Sequence, residues 1–323
     1  MALPAVLQGR LSLPVIGAPM FLVSGPELVV AQCTSGIVGA IPSLNARPPE
    51  LLDTWLRQIS SACAAHAAAH PGARVAPHAV NLIVNRANAR LEQDIDVVVA
   101  NRVPVVITSL SAPDDIVPRI HAYGGIVLHD VVSTRHARRA LKAGVDGLVL
   151  VCAGAGGHAG ALSPFALLSE VRAFYDGLVA LSGAIATGSG ILAAQAMGAD
   201  LAYIGTRFIA TDESNAGEAY KSMIVGASAA DIVYTPLFSG VHGNYLKPSI
   251  AAAGLDPDNL PAPEPGASYR RRDDRPPAWK TIWGAGQGVG TIDAVEPVAA
   301  VVARLASEYH AARRALAAAA ITE

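Results

Sequence analysis

Cysteine is scarce: Cys33, Cys63 and Cys152 are an odd number with no Cys-x-x-Cys spacing. That argues against a disulfide framework and a cysteine zinc site, and it fits a reducing compartment, so a cytoplasmic location is expected. Charge is sparse too, at 15% of residues, and the formal net charge of −2 supplies no field that would condense on nucleic acid or an anionic membrane. No uninterrupted apolar run reaches about 18 residues, and residues 1–10 lack a basic start followed by an apolar stretch. Neither a spanning helix nor a secretory leader is expected. Only four lysines occur, Lys142, Lys221, Lys247 and Lys280, and none ends an apolar run, which removes the nucleophile of a Schiff-base aldolase. Small molecules are the expected partners, and a homo-oligomer is compatible with the sequence.

What the chain does have is 52% hydrophobic residues in 323 positions, enough for one large domain with an insertion. Short Val/Ile/Leu runs alternate with Ala-rich helical stretches, the mark of parallel strands joined by helices. Eight strand candidates follow: Pro14 to Met20, Gly36 to Ile41, His78 to Val84, Val103 to Ser109, Gly125 to Val131, Gly147 to Cys152, Gly183 to Thr187 and Leu201 to Gly205. Runs such as Val103 to Ile107 are apolar at consecutive positions, as in strands covered on both faces. The expected helices are Pro48 to His70, Ala87 to Ala100, Thr134 to Ala143, Pro164 to Leu178, Ile191 to Met197 and Val295 to Ala319, with Gly144 and Gly198 as C-terminal caps.

The fold class expected is α/β, a TIM-type (β/α)8 barrel with a helical and loop insertion after the eighth strand. Residues 1–210 would form the barrel, 211–282 a lid or substrate-side insertion, and 283–323 a return segment and closing helix. The charged run Arg270, Arg271, Arg272, Asp273, Asp274 and Arg275 reads as a solvated loop.

In such a barrel the chemistry sits where the strands end. The residues that survive this filter are Pro19 and Met20, Asn81, Ser109, His129 with Asp130, the loop from Gly154 to Gly160, Gly183 to Gly190, and Gly205 with Thr206. Ser182, Gly183 and Ala184 at one strand end and Gly205 and Thr206 at the next leave backbone N–H groups bare, so an anion, and hence a phosphate-bearing cofactor, is expected there; each cluster alone could equally serve a tight turn. His158, set in Ala153-Gly-Ala-Gly-Gly-His-Ala-Gly160, has small neighbours on both sides and is expected to face a ligand as a base or anion-binding donor. His129 and Asp130 alternate, so only one of them can face the mouth. No metal constellation emerges, and Cys152 reads as a small buried hydrophobe.

Taken in order, Pro14-Val-Ile-Gly-Ala-Pro-Met20, Val80-Asn-Leu82, Ala155-Gly-Gly-His158, Ser182-Gly-Ala-Ile-Ala-Thr-Gly-Ser-Gly-Ile191, Gly198-Ala-Asp-Leu-Ala-Tyr-Ile-Gly-Thr-Arg-Phe208 and Trp283-Gly-Ala-Gly-Gln287 resemble the nitronate monooxygenases across nearly the whole chain. The resemblance implies a barrel that holds FMN noncovalently. Ala18, Pro19 and Met20 and the side chain of Asn81 would lie near the isoalloxazine, and Ser182, Gly183, Ala184, Gly205 and Thr206 around its phosphate. Gly157 and catalytic His158 would flank the reactive region, with Tyr245 and Gln287 as further substrate contacts. The implied reaction oxidises an alkyl nitronate with O2 to a carbonyl compound and nitrite. The alternatives are an NAD(P)H-dependent FMN reductase of quinones or enoyl thioesters on the same scaffold and a flavin-free phosphate-binding barrel. Many relatives carry a basic residue where this chain has Asp130 and a polar one where it has Val151, so the flavin contacts at those positions do not carry over. At the phosphate turn Ala184 replaces the usual second glycine and is expected to offer its N–H.

Overall fold

The computed structural model describes residues 3–261 and 279–319; the Arg270 to Arg275 run lies outside them. The elements follow in chain order as β1 (Val15–Gly17), α1 (Pro26–Thr34), β2 (Val38–Pro42), α2 (Leu51–Ala69), β3 (His78–Val84), α3 (Leu91–Ala100), β4 (Val105–Leu110), α4 (Val117–His121), β5 (Ile126–Val131), α5 (Thr134–Lys142), β6 (Gly147–Val151), β7 (Gly157–His158), α6 (Pro164–Arg172), β8 (Leu178–Ser182), α7 (Gly188–Ala196), β9 (Leu201–Ile204), α8 (Glu218–Gly226), β10 (Ile232–Thr235), β11 (Gly243–Leu246), α9 (Lys247–Ala252) and α10 (Val298–Ala318).

Strand β1 pairs in parallel with both β2 and β9, Ile16 lying opposite Val38 on one side and Tyr203 on the other. This closes β1 to β6, β8 and β9 into an eight-stranded barrel with helices outside, as the alternation of apolar runs implied. Ile16, Val38, Ala40, Ala79, Val105, Ile107, Leu128, Val149, Ala180 and Tyr203 fill the interior, while Val80, Leu82, Val106, Val127, Leu148 and Val179 pack beneath the helices. Both faces are therefore buried, which is why these strands read as continuous apolar runs. Leu7, ahead of β1, joins the interior cluster and plugs it.

The seventh barrel strand is not where the sequence placed it. It is β8, Leu178–Ser182, and residues 183–187 form the turn into α7. The expected helix from Pro164 had absorbed this strand's first residue; α6 stops at Arg172, whose guanidinium ties together the carbonyls of Tyr175, Gly177 and Gly198 and the carboxylate of Asp200. Extended pairing ends at Gly183, φ +139°, and Ala184, φ +55°, both in the left-handed half of backbone space. Helices α1 and α4 were not foreseen, and their Pro26 and Pro118 sit in first turns, where proline is tolerated. The caps Gly144 and Gly198 occur as expected, at φ +85° and +103°.

After β9 the chain builds α8, β10, β11 and α9. Strand β11 lies between β10 and β7 in an antiparallel sheet, with Gly243 opposite His158 and Tyr245 opposite Val233. The return segment threads beside it, with Leu246 N–H donating to Trp283 O (2.8 Å) and Ala285 N–H to Asn244 O (3.3 Å). Helix α10 then docks on α7 through Val298, Val301 and Leu305. Among the described residues, no helix is long and apolar enough to cross a membrane.

Candidate functional site

The two small-residue turns meet. Ser182, Gly183 and Ala184 at the end of β8, and Gly205 and Thr206 after β9, line one open recess together with Gly154, Ala155, Gly156, Ile185, Ala186, Tyr203, Gly286 and Gly288. No acidic side chain lines it. Among the described residues, the N–H groups of Gly183, Gly205 and Thr206 donate to no carbonyl. The Thr206 hydroxyl accepts from Gly286 N–H (2.8 Å), which leaves its own proton to give. Bare N–H groups and a free hydroxyl in an acid-free concavity suit a phosphate.

One expectation for this turn fails. Ala184 N–H is committed to Gly154 O at 3.2 Å, so it is not offered to an anion. Its positive φ, unusual for a residue with a Cβ, turns the chain so that Gly154 can cross it. The glycines of the return segment and of the Gly154–Gly156 stretch, both singled out in the sequence, meet here. They are required because two backbones touch here: a Cβ on Gly286 would stand 2.6 Å from Gly154 O. Gln287 is exposed, and its N–H also bonds Gly154 O (2.9 Å), so it sits at the rim of the recess.

Ala18, Pro19 and Met20 leave β1 partly exposed. Ala18 N–H bonds Ile204 O (2.8 Å), and a Cβ on Gly205 would touch Ala18 Cβ at 3.4 Å and Met20 Sδ at 3.6 Å. This segment therefore borders the recess. Asn45, which sequence reasoning missed, holds it in place by donating to Met20 O (3.0 Å) and accepting from Leu22 N–H (2.9 Å). Asn81 is buried at the mouth end of β3, its amide donating to Ile107 O (3.1 Å) and Ser109 Oγ (2.8 Å).

Gly157 and His158 do not form the free loop that their neighbours suggested. They are β7, paired with β11, and Gly157 at φ +70° lies against Trp279, whose ring a Cβ there would meet at 3.3 Å. The His158 ring stands edge-on to Trp279, centroids 5.4 Å apart, and its Nε2 is 2.9 Å from Ser239 Oγ. Burial pulls its pKa down to about 4, so the imidazole is neutral at pH 7. Ser239 has one proton; assigning it to Val241 O (3.0 Å) leaves Oγ to accept from His158 and from Tyr245 Oη (3.1 Å). This assignment of protons puts hydrogen on Nε2 and the lone pair on Nδ1.

Tyr245 is fully buried between Phe238 and Trp279. Its Oη lies 3.1 Å from Ser239 Oγ, the atom that contacts His158, so Tyr245 backs the histidine through that serine. Ser239 and Trp279 carried no sequence signal, since each acts through the folding of the insertion onto β7. Alternation at β5 resolves in favour of Asp130: His129 points outward to Thr108 Oγ1 (2.8 Å), and Asp130 faces the mouth and accepts from Ser109 Oγ (2.6 Å).

A family profile described as nitronate monooxygenase matches residues 8–308. A nitronate monooxygenase of Paraburkholderia phytofirmans is 27% identical over 296 residues, covering 79% of this chain and 78% of the relative. A (3aS,4S,5R,7aS)-5-hydroxy-7a-methyl-1-oxo-octahydro-1H-indene-4-carboxyl-CoA dehydrogenase of Rhodococcus jostii is 25% identical over 230 residues, covering 71% of this chain and only 61% of that relative's length. Two solved structures share the fold: FabK of Thermotoga maritima, at TM-score 0.77 and 23% identity over 98% of this chain and 99% of that one, and a nitroalkane oxidase of Streptomyces ansochromogenes, at TM-score 0.75 and 23% identity over 97% of this chain and 100% of that one.

Proposed function

The chain belongs to the nitronate monooxygenase family of flavin-dependent oxidoreductases, and from that premise we propose that it is an FMN enzyme oxidising alkyl nitronates with O2 to carbonyl compounds and nitrite. The observation that carries this reading is a neutral His158 pinned by Ser239 and Trp279 on the sheet that β7 shares with β10 and β11. In the same reading, the bare N–H groups of Gly183, Gly205 and Thr206 and the Thr206 hydroxyl hold the FMN phosphate. Ala18, Pro19, Met20, Asn81 and Gly157 border the isoalloxazine, Ser182 and Ala184 shape the turn, and Gln287 lies at its rim. Bound FMN would supply the electron transfer between substrate and O2.

The protein's part is to receive an anion and keep water from it. A neutral imidazole admits a nitronate without carrying a buried charge beforehand. Once the anion is adjacent, its charge raises the imidazole pKa, and Nδ1 can take up a proton and become a donor to it. The insertion over residues 211–282 serves as the lid in this reading, since β11 is what holds β7 in place.

Anaerobic mixing of FMN-loaded protein with a nitronate, and separately with NADH and NADPH, tests the reading through the flavin absorbance. A change with nitronate and none with either nicotinamide is expected. The carboxyl-CoA dehydrogenase relative favours a second reading, an NAD(P)H-dependent reductase of enoyl thioesters or quinones, and prompt bleaching by a nicotinamide would establish that one instead.

A further inference from the structure

One ionisable group at the mouth is unused so far. Asp130 follows Leu128 by two residues on β5 and shares its inward direction. Oδ2 accepts from Ser109 Oγ (2.6 Å), and Ser109 in turn accepts from Asn81 Nδ2 (2.8 Å), so side chains from three neighbouring strands form one line. Oδ1 is buried and has no hydrogen-bond partner. Among the described residues no lysine, arginine or histidine is paired with it. Its register partner on the inner face of β6 is Val149, which is apolar, and His129 turns the other way. Tyr203 on β9 also faces it, a phenol that burial alone holds neutral and that an ionised Asp130 would only push further up.

A carboxylate with one donor and no cation would be poorly compensated in such a place. A carboxylic acid is not: Ser109 satisfies Oδ2, and an O–H on Oδ1 is a donor to which no described residue offers an acceptor. Burial, only partly offset by the Ser109 hydrogen bond, moves this carboxyl up to about 7, in keeping with that form.

We propose that Asp130 is a cofactor contact that acts as a neutral acid, donating from Oδ1 to an acceptor atom of the FMN isoalloxazine, with Ser109 and Asn81 fixing its direction. This rests on the FMN reading above. It assigns to an acid the position where the sequence resemblance had set a basic residue, and a protonated acid can serve an electron-rich ring edge where a carboxylate would repel it. FMN binding then carries a proton with it, because ionised Asp130 has to be protonated before the contact forms.

The test is the dissociation constant of FMN from the apoprotein, read by flavin fluorescence from pH 6.5 to 9, for the wild type and for Asp130→Asn. The amide keeps the shape, the acceptor for Ser109 and a donor at the second position, but it does not titrate. Expected is a wild-type affinity that weakens by up to about tenfold per pH unit above neutrality, the slope of one linked proton, and a variant whose affinity lacks that component. Identical pH profiles for the two proteins overturn the inference and leave the FMN reading standing. So does a wild-type affinity that does not weaken above pH 7, which needs no variant. Failure of the wild type to take up FMN at any pH overturns both.

Discussion

His158 Nε2 lies 2.9 Å from Ser239 Oγ, and Val241 O, 3.0 Å from the same oxygen, offers that serine's proton an acceptor other than the imidazole. A residue of the insertion thus sets which nitrogen of the histidine keeps its lone pair.

Removing the histidine and removing its partner should differ in degree. His158→Ala is expected to retain FMN and to lower nitronate turnover by about 10² or more, the scale of a positioned acid or base. Ser239→Ala leaves the ring in place but frees its tautomer, and turnover should fall by roughly tenfold, the effect of one hydrogen bond. Steady-state turnover alongside FMN titration checks both; undiminished turnover in His158→Ala would remove the imidazole from the chemistry.

Thr206→Val deletes the hydroxyl of the recess and leaves Gly286 N–H unpaired. FMN affinity should drop by about ten- to a hundredfold, as for a hydrogen bond to a charged group, while riboflavin, which lacks the phosphate, should bind nearly as before. Thr206→Ser should restore FMN binding. Equal losses for FMN and riboflavin would place the phosphate elsewhere.

Acid should destabilise the fold. Burial lowers the pKa values of His78, His129 and His158 from 6.5 to about 4, so between those limits the unfolded chain binds more protons and stability falls as pH drops. Asp130, raised from 3.8 to about 7, acts in the opposite sense over nearly the same window. Three groups against one leave unfolding near pH 5 taking up about two protons. Denaturant midpoints of the apoprotein from pH 4.5 to 7.5 should rise with pH, and a flat profile would show these histidines to be solvated.

A Cβ on Gly188 would stand 2.2 Å from both Leu305 O and Tyr309 N, backbone atoms of α10 that cannot move aside. Gly188→Ala should destabilise by about 1–3 kcal/mol, the usual range for overpacking. Gly226, at the end of α8 with nothing within 4 Å of its would-be Cβ, is the control. There the same change should stabilise by about 0.5–1 kcal/mol through helix propensity. Thermal unfolding of the two variants decides between these signs.

Much of the fold was legible because barrel strands covered on both faces must be apolar throughout, so Val105 to Ile107 and Leu148 to Val151 announce themselves. The two small-residue turns were legible for a local reason also, since bare backbone needs residues without bulk. The seventh strand was misplaced because Leu178 continues the apolar pattern of the helix before it, while Gly183 to Thr187, the segment expected to be the strand, is the turn that follows it. Only Arg172, reaching carbonyls beyond the helix end, marks where that helix stops.

By itself, then, the sequence determined the alternation of strands and helices, the small-residue turns and the presence of a histidine beside them, all consequences of local periodicity and of side-chain size. Tertiary structure alone decided that Asp130 rather than His129 faces the mouth, that Ala184 spends its N–H on Gly154, and that Gly157 and His158 become a strand. Each of these depends on a partner distant along the chain: the barrel register, the Gly154 crossing and β11. A hydrogen bond to such a partner leaves no trace in the periodicity of either segment, because it exists only once the two have been brought together.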